Sequence, residues 1–114
     1  MPPRIKTPWG WWQVLAQGPD WKFKQLMVLP GERTSLQYHR HRYEYWLVID
    51  GSGRAHLGGH RKRLERGFST TVPSFMPHRL EGLKPDGVAI LEIQWGSKCL
   101  ETDIVRQADN YGRR

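Results

Sequence analysis

The 114-residue sequence predicts an all-β sandwich or barrel that forms one domain over residues 1–114. Residues 1–95 show no convincing helical period. Short strand-like runs recur instead, and glycine or proline interrupts them roughly every 8–12 residues, as in all-β domains. The predicted strands span residues 12–16, 21–29, 35–41, 44–49, 53–57, 61–66, 70–72, 78–81 and 88–95.

Turn signals separate these runs: Gly18-Pro19-Asp20, Pro30-Gly31-Glu32, Asp50-Gly51-Ser52-Gly53 and Lys84-Pro85-Asp86-Gly87. Residues 46–49 and 88–91 are apolar on both faces, which predicts central strands of a two-sheet core.

An N-terminal arm of about residues 1–20 is rich in tryptophan, and it either docks on another subunit or folds back on its own barrel. A polar C-terminal strap of about residues 100–114 is predicted to be irregular or to form a short helical turn.

The composition indicates a cellular location and limits the kinds of partner that are expected. The single cysteine, Cys99, excludes an intramolecular disulfide and suits a reducing cytosol, so we predict a cytoplasmic protein. No apolar run approaches the roughly 20 residues that span a bilayer, so no membrane partner is expected. The net charge of +7 attracts phosphate of any kind. Its densest cluster, residues 60–63, lies between turn signals and fits a solvated hairpin; without any nucleic-acid motif, we expect no nucleic-acid partner.

Four side chains predict a metal site. His39 and His41 lie two residues apart on a predicted strand, where side chains that far apart point to the same face. Glu44 follows three residues later, and His78 supplies a third imidazole. Three nitrogens and one oxygen around an open coordination position suit a catalytic divalent metal. These ligand types accept zinc, iron, manganese, cobalt or nickel, so the identity of the metal stays open.

Two glycine-bounded motifs carry a family resemblance. The first comprises Pro30-Gly31, His39, His41, Glu44 and Gly51, and the second comprises Gly67, Pro73 and Pro77-His78. In this order they resemble the two motifs of the cupins, which implies a double-stranded β-helix (jelly-roll) barrel. Residues 33–46 are similar to the signature of type II phosphomannose isomerases. So are residues 8–11 and the tail segment 103–113, and the resemblance extends from about Pro8 to Arg113.

The resemblance implies a metal-dependent isomerase that interconverts mannose 6-phosphate and fructose 6-phosphate. It implies that His39, His41, Glu44 and His78 hold the metal, with Glu44 as the fourth ligand or the catalytic base. It also marks as catalytic or substrate-binding Arg42, Arg106 and Arg113, with Arg42 in a hairpin turn at the mouth of the site and the other two in a tail that wraps over it. Gln37, on the same predicted strand face as His39, binds the metal or the sugar, or else makes a buried hydrogen bond.

Two departures from the family pattern leave an alternative open. Tyr45, a candidate substrate contact, stands where the family typically has histidine, and Phe75 replaces a turn glycine. Phenylalanine there requires a turn without positive φ or a strained one, and it could narrow the substrate space. The alternative is therefore a non-catalytic metal-binding cupin that binds a sugar phosphate or carbohydrate. A metal-dependent dioxygenase is disfavoured because it would not need Arg106 and Arg113. We also predict a homodimer that pairs through an edge strand.

Overall fold

A computed structural model describes residues 2–97 and 99–112. These residues form ten strands and contain no helix. The strands are β1 (Ile5–Thr7), β2 (Gly10–Gln17), β3 (Trp21–Val28), β4 (Leu36–Tyr38), β5 (Arg42–Leu57), β6 (His60–Glu65), β7 (Ser69–Val72), β8 (His78–Gly82), β9 (Val88–Gly96) and β10 (Val105–Ala108). None of the described residues belongs to a helix with the length and hydropathy required to cross a membrane.

All strand pairs are antiparallel, and the chain curls into two facing layers. One layer has the order β7-β5-β9-β3-β2-β1. The other has the order β6-β5-β8-β4-β10. Strand β5 belongs to both layers, because residues 42–51 pair with β9 and residues 53–57 pair with β8. This architecture confirms the predicted all-β class.

The single strand β5 replaces two predicted strands and a predicted turn at residues 50–53. The chain bends there instead of reversing, with a bulge between Val48 and Asp50. Gly51 has a φ of 75°, and a Cβ at this position would lie 2.0 Å from the carbonyl oxygen of Gly87. The bend therefore requires glycine at position 51, and the turn-like composition marks a corner between the two layers.

Segments near both termini, within the described residues, join the barrel. The N-terminal arm folds back on its own barrel, because β2 pairs with β3 and the side chain of Trp9 lies buried in the core. The strap prediction was wrong over Val105–Ala108, which is neither irregular nor helical but forms β10 against β4. This pairing places Arg106 opposite Gln37.

The side chains that face the interior of the barrel change from apolar to polar along β9. Side chains alternate along each strand, and Val88 and Ile90 of β9 are almost fully buried. The same inward face continues with Glu92 and Gln94, and Glu44 lies inside β5. Because burying unpartnered polar groups is costly, this polar end of the barrel is where a functional site is expected.

Candidate metal centre

Three buried side chains, which we call the triad, converge inside the barrel. His39 follows β4, Glu44 lies on β5, and His78 opens β8. One potential ligand atom from each lies within 4.8 Å of the others, and each residue is 2–3% exposed. The resulting donor set is two imidazole nitrogens and one carboxylate oxygen, which suits a transition metal.

His78 presents a lone pair to the centre of the triad. Its Nδ1 lies 3.0 Å from the carbonyl oxygen of Met76, which can only accept, so Nδ1 carries the proton. Burial lowers the pKa of His78, which favours the neutral ring. Its Nε2 is buried and has no hydrogen-bond partner among the described residues. An unpartnered, buried lone pair facing a carboxylate is what a metal ligand offers before the metal binds.

The tail of the chain orients His39. Its Nδ1 lies 2.5 Å from the backbone carbonyl oxygen of Asp103, which leaves Nε2 as the acceptor that faces the triad. The Asp103 carboxylate accepts hydrogen bonds from the backbone N–H groups of Arg40, at 3.0 Å, and His41, at 2.9 Å. The segment that begins at Asp103 thus supports a candidate metal ligand about sixty residues earlier in the chain.

The structure does not bring His41 into the triad. The strand predicted over residues 35–41 ends at Tyr38, and residues 40 and 41 form a bend that Asp103 holds from the side. Two-residue periodicity applies only in an extended strand, so the bend turns His41 outwards, where it is exposed. The premise that placed His41 beside His39 was therefore wrong.

Arg42 also lies elsewhere than expected. It is the first residue of β5 rather than part of a hairpin turn at the mouth, and it is only 6% exposed. Its Nη2 lies 3.0 Å from Oε2 of Glu44 and 3.1 Å from Nε2 of His39. Its Nε donates to the same Glu44 oxygen at 3.1 Å. The guanidinium therefore sits directly against the triad.

Glu44 is ionised in this environment. Burial alone would raise its pKa, but the positive charge of the Arg42 guanidinium, which contacts Oε2 through Nη2 and Nε, lowers the pKa and keeps the carboxylate ionised. The Nε2 atom of His39 lies 3.1 Å from Glu44 Oε2, yet it also faces a guanidinium N–H that can only donate. We therefore assign His39 Nε2 as an acceptor. The triad thus offers two nitrogen lone pairs and a carboxylate, a donor set that fits a divalent metal.

A second buried carboxyl group, Glu92, shares the cavity with the triad. The cavity has a volume of about 200 Å³ and is lined by side chains from both layers. The indole N–H of Trp46 lies 3.1 Å from Glu44 Oε1 and 3.2 Å from Glu92 Oε2, and Gln94 donates to the other Glu92 oxygen. Burial, together with the charge of Glu44, raises the pKa of Glu92 to about 7. The pKa values of the two neighbouring carboxyl groups are therefore displaced in opposite directions. This difference suits Glu44 to remain charged and Glu92 to transfer a proton.

Sequence reasoning missed Glu92 because residues 88–91 look apolar on both faces. The two-residue alternation Val88, Ile90, Glu92, Gln94 was the available signal, since it carries two polar side chains onto a buried face.

A buried lysine also lines the cavity and was missed. Lys24 is 4% exposed, and its Nζ lies 2.6 Å from Oε2 of Glu101 and 4.1 Å from the ring centre of Trp12. Lys22 contacts the same Glu101 oxygen at 3.1 Å. The alternation Lys24, Leu26, Val28 along β3 marks Lys24 as inward-facing. A carboxylate oxygen of Glu101 therefore already occupies the position beside Lys24, where the cavity wall is positively charged.

Two further predicted site residues reach the cavity. Gln37 lines it, and its Oε1 accepts a hydrogen bond from Ser35 Oγ at 2.9 Å. Arg106 lines it from β10. Arg113 lies outside the described residues.

The two departures from the family pattern lie away from the cavity. Tyr45 is adjacent to the inward-facing Glu44, so the alternation of β5 places it on the opposite face, and it does not line the cavity. Phe75 adopts a φ of 64°, so the strained turn is the one that occurs. Its ring is 62% exposed and lies 6.1 Å from that of Tyr38, so it does not narrow the described cavity.

Solved structures share this arrangement of strands. A Klebsiella pneumoniae protein with a double-stranded β-helix domain superposes with a TM-score of 0.77 at 18% identity, covering 93% of this chain and 90% of that one. A cupin-2 domain protein from Rhodospirillum rubrum gives a TM-score of 0.70 at 20% identity, covering 83% and 68%. These likenesses define the fold of the chain, which is the double-stranded β-helix barrel of the cupins.

The sequence comparisons define the family within that class. The family model for the mannose-6-phosphate isomerase C-terminal domain matches residues 3–109, and the chain belongs to this family. A mannose-1-phosphate guanylyltransferase of Klebsiella pneumoniae is 38% identical over 109 residues, and the alginate biosynthesis protein AlgA of Pseudomonas aeruginosa is 37% identical over 109 residues. Each alignment covers 96% of this chain and 23% of the relative, so the chain spans about a quarter of their length.

Proposed function

We propose that the protein is a metal-dependent mannose-6-phosphate isomerase, which interconverts mannose 6-phosphate and fructose 6-phosphate. The observation that carries this proposal is the pairing of two sites in one cavity. A buried His39–Glu44–His78 triad suits a divalent metal, and a separate carboxyl group, Glu92, suits proton transfer. Membership of the mannose-6-phosphate isomerase C-terminal family supports the choice of reaction.

The reaction moves two protons. In the open-chain aldose, a proton leaves C2 and is returned to C1, while the hydroxyl proton on O2 is transferred to the carbonyl oxygen on C1. A divalent metal bound at the triad would polarise these oxygens as a Lewis acid. Glu92 is our candidate to take the C2 proton and return it to C1, because a carboxyl with a pKa of about 7 gives up and accepts protons at neutral pH. This assignment leaves Glu44 free to serve as a ligand rather than as a base.

The phosphate group requires cations within the cavity. Lys24 and Arg106 both line it, and we propose that they bind the 6-phosphate. The Glu101 carboxylate at 2.6 Å from Lys24 supports this proposal, since it holds the kind of oxygen anion that a phosphate would supply. In this arrangement the phosphate displaces Glu101 from Lys24.

A coupled assay for fructose 6-phosphate formation from mannose 6-phosphate tests the proposed reaction. Protein stripped with a chelator is assayed after zinc, iron, manganese, cobalt or nickel is restored in turn. We expect turnover only after metal is restored. If protein that demonstrably binds metal and mannose 6-phosphate gives no turnover with any of these metals, the isomerase is excluded and the non-catalytic sugar-phosphate-binding cupin replaces it.

We further propose that the protein is a homodimer. The support comes from the outer face of one layer rather than from the predicted edge strand: Trp21, Trp95 and Tyr43, on the inner strands β3, β9 and β5, are 39–43% exposed, and Tyr43 stacks on Trp95. Sedimentation equilibrium is expected to give twice the 13.4 kDa mass of the chain. A single-chain mass at micromolar concentration would contradict this proposal.

A further inference from the structure

We propose that the Arg42 guanidinium is the resident cation of the triad, and that a divalent metal must displace it in order to bind. Arg42 thereby sets the metal affinity of the protein, a role that rests on the metal site of the proposed function. The geometry at His39, the geometry at Glu44 and the charge of the buried carboxylate each support this competition.

At His39 the two cations need the same lone pair. The ring nitrogen Nδ1 faces the carbonyl oxygen of Asp103, so the neutral ring has its one in-plane lone pair on Nε2. Arg42 Nη2 donates to that lone pair at 3.1 Å. A metal ion bound to Nε2 would take the same lone pair along the same direction. Arg42 in its present position and a metal on His39 therefore exclude each other.

At Glu44 the guanidinium covers one carboxylate oxygen. Arg42 reaches Oε2 through Nη2 at 3.0 Å and through Nε at 3.1 Å. The other oxygen, Oε1, faces the indole N–H of Trp46 and lies 3.8 Å from Nε2 of His78. Among the described residues, only His78 therefore has a triad donor atom without a partner.

The charge of Glu44 explains why Arg42 occupies this position. An ionised carboxylate that is 2% exposed is stable only beside a compensating cation. Arg42 supplies that cation, and the backbone carbonyl of Leu100 accepts from its Nη1 at 3.1 Å. The net gain from metal binding is then the metal–ligand energy minus the energy of these Arg42 contacts. Removing the guanidinium removes the competitor and leaves a buried carboxylate that needs a cation.

Calorimetric titration of metal-free protein with zinc tests the competition. Arg42→Met keeps a long side chain without the charge, and we expect its zinc Kd to be at least about tenfold lower than that of the wild type, because charge-assisted hydrogen bonds no longer oppose binding. Arg54→Met removes the same charge from a half-exposed ion pair with Glu81, and its Kd is expected to equal that of the wild type. Equal or weaker zinc binding by Arg42→Met, with normal binding by the wild type, would overturn the proposed role.

A measurement on the wild-type protein covers the case in which Arg42→Met does not fold. The ¹⁵N resonance of the buried Arg42 Nε–H group is expected to shift, and its exchange with solvent to accelerate, when zinc saturates the site. A resonance unchanged at saturating zinc would overturn the competition. Neither experiment contains a sugar, so both are independent of isomerase activity. Zinc binding by neither wild type nor Arg42→Met would overturn the metal site itself and the competition with it.

Discussion

Replacing Glu92 with glutamine is expected to lower the rate of mannose 6-phosphate isomerisation by about 10²- to 10⁴-fold, the usual contribution of a positioned acid–base group. The amide has nearly the same volume and can still accept a hydrogen bond from Trp46, but it cannot carry a proton between C2 and C1. Metal content is expected to stay unchanged, because Glu92 lies outside the triad. The measurement is kcat/KM in the coupled assay, with bound metal determined on the same sample.

The pH profile separates proton transfer from a merely structural role. Burial and the charge of Glu44 raise the pKa of Glu92 to about 7, so the wild-type rate should rise with pH through about 7 as the carboxyl ionises. The residual rate of Glu92→Gln should lack this step.

The free energy of unfolding is expected to change with pH in the opposite direction to the rate. Because the pKa of Glu92 is raised in the folded protein, the folded state holds this proton more tightly than the unfolded state does. The free energy of unfolding therefore falls as pH rises from the usual carboxyl range to about 7.

A matched substitution controls for the loss of a carboxylate. Glu81→Gln removes a partly exposed carboxylate that pairs with Arg54 and does not line the cavity, so it is expected to keep the wild-type rate. Full activity in Glu92→Gln, with an unchanged pH profile, would show that Glu92 does not transfer the proton.

The sequence predicted the class of fold and most strands because those features are local. Two-residue alternation and glycine–proline punctuation are visible in short windows, and they placed strands close to the observed β3, β8 and β9. Of the four predicted ligands, the structure brings His39, Glu44 and His78 together and leaves His41 outside the triad. The glycine-rich composition around Gly51 also indicated a break in the strand. Composition alone does not distinguish a turn that reverses the chain from a bend within one continuous strand.

The errors at the site arise from contacts between distant parts of the chain. The bend that turns His41 outwards is held by a carboxylate 62 residues later, and no local pattern reports such a contact. Arg42 lies against the triad because β5 begins at it, one residue after that bend. Alternation along β3 and β9 places Lys24 and Glu92 on the buried face of each strand, but their position side by side depends on the register of β3 against β9, which pairs these two residues.

Replacing Glu44 with leucine is expected to lower the free energy of unfolding of the metal-free protein by about 3–5 kcal/mol, because it leaves the Arg42 guanidinium buried without its carboxylate. That is a large share of the roughly 5–15 kcal/mol that stabilises a typical domain. Metal binding should be lost in the same variant, since the only oxygen donor of the triad is gone. Urea denaturation in the presence of a chelator measures the stability.

The double substitution Arg42→Met with Glu44→Leu is expected to recover most of that loss, because an apolar pair of similar volume replaces a buried ion pair at little net cost. The double-mutant cycle should therefore give a coupling energy of several kcal/mol between the two positions. Glu65→Leu is the control: its ion pair with Arg63 is 63–68% exposed, so the change should stay within about 1 kcal/mol. Additive effects at positions 42 and 44 would mean that Arg42 does not neutralise Glu44. The competition between guanidinium and metal would then lose its electrostatic basis, whereas strong coupling would show that the buried Glu44 carboxylate requires a neighbouring cation.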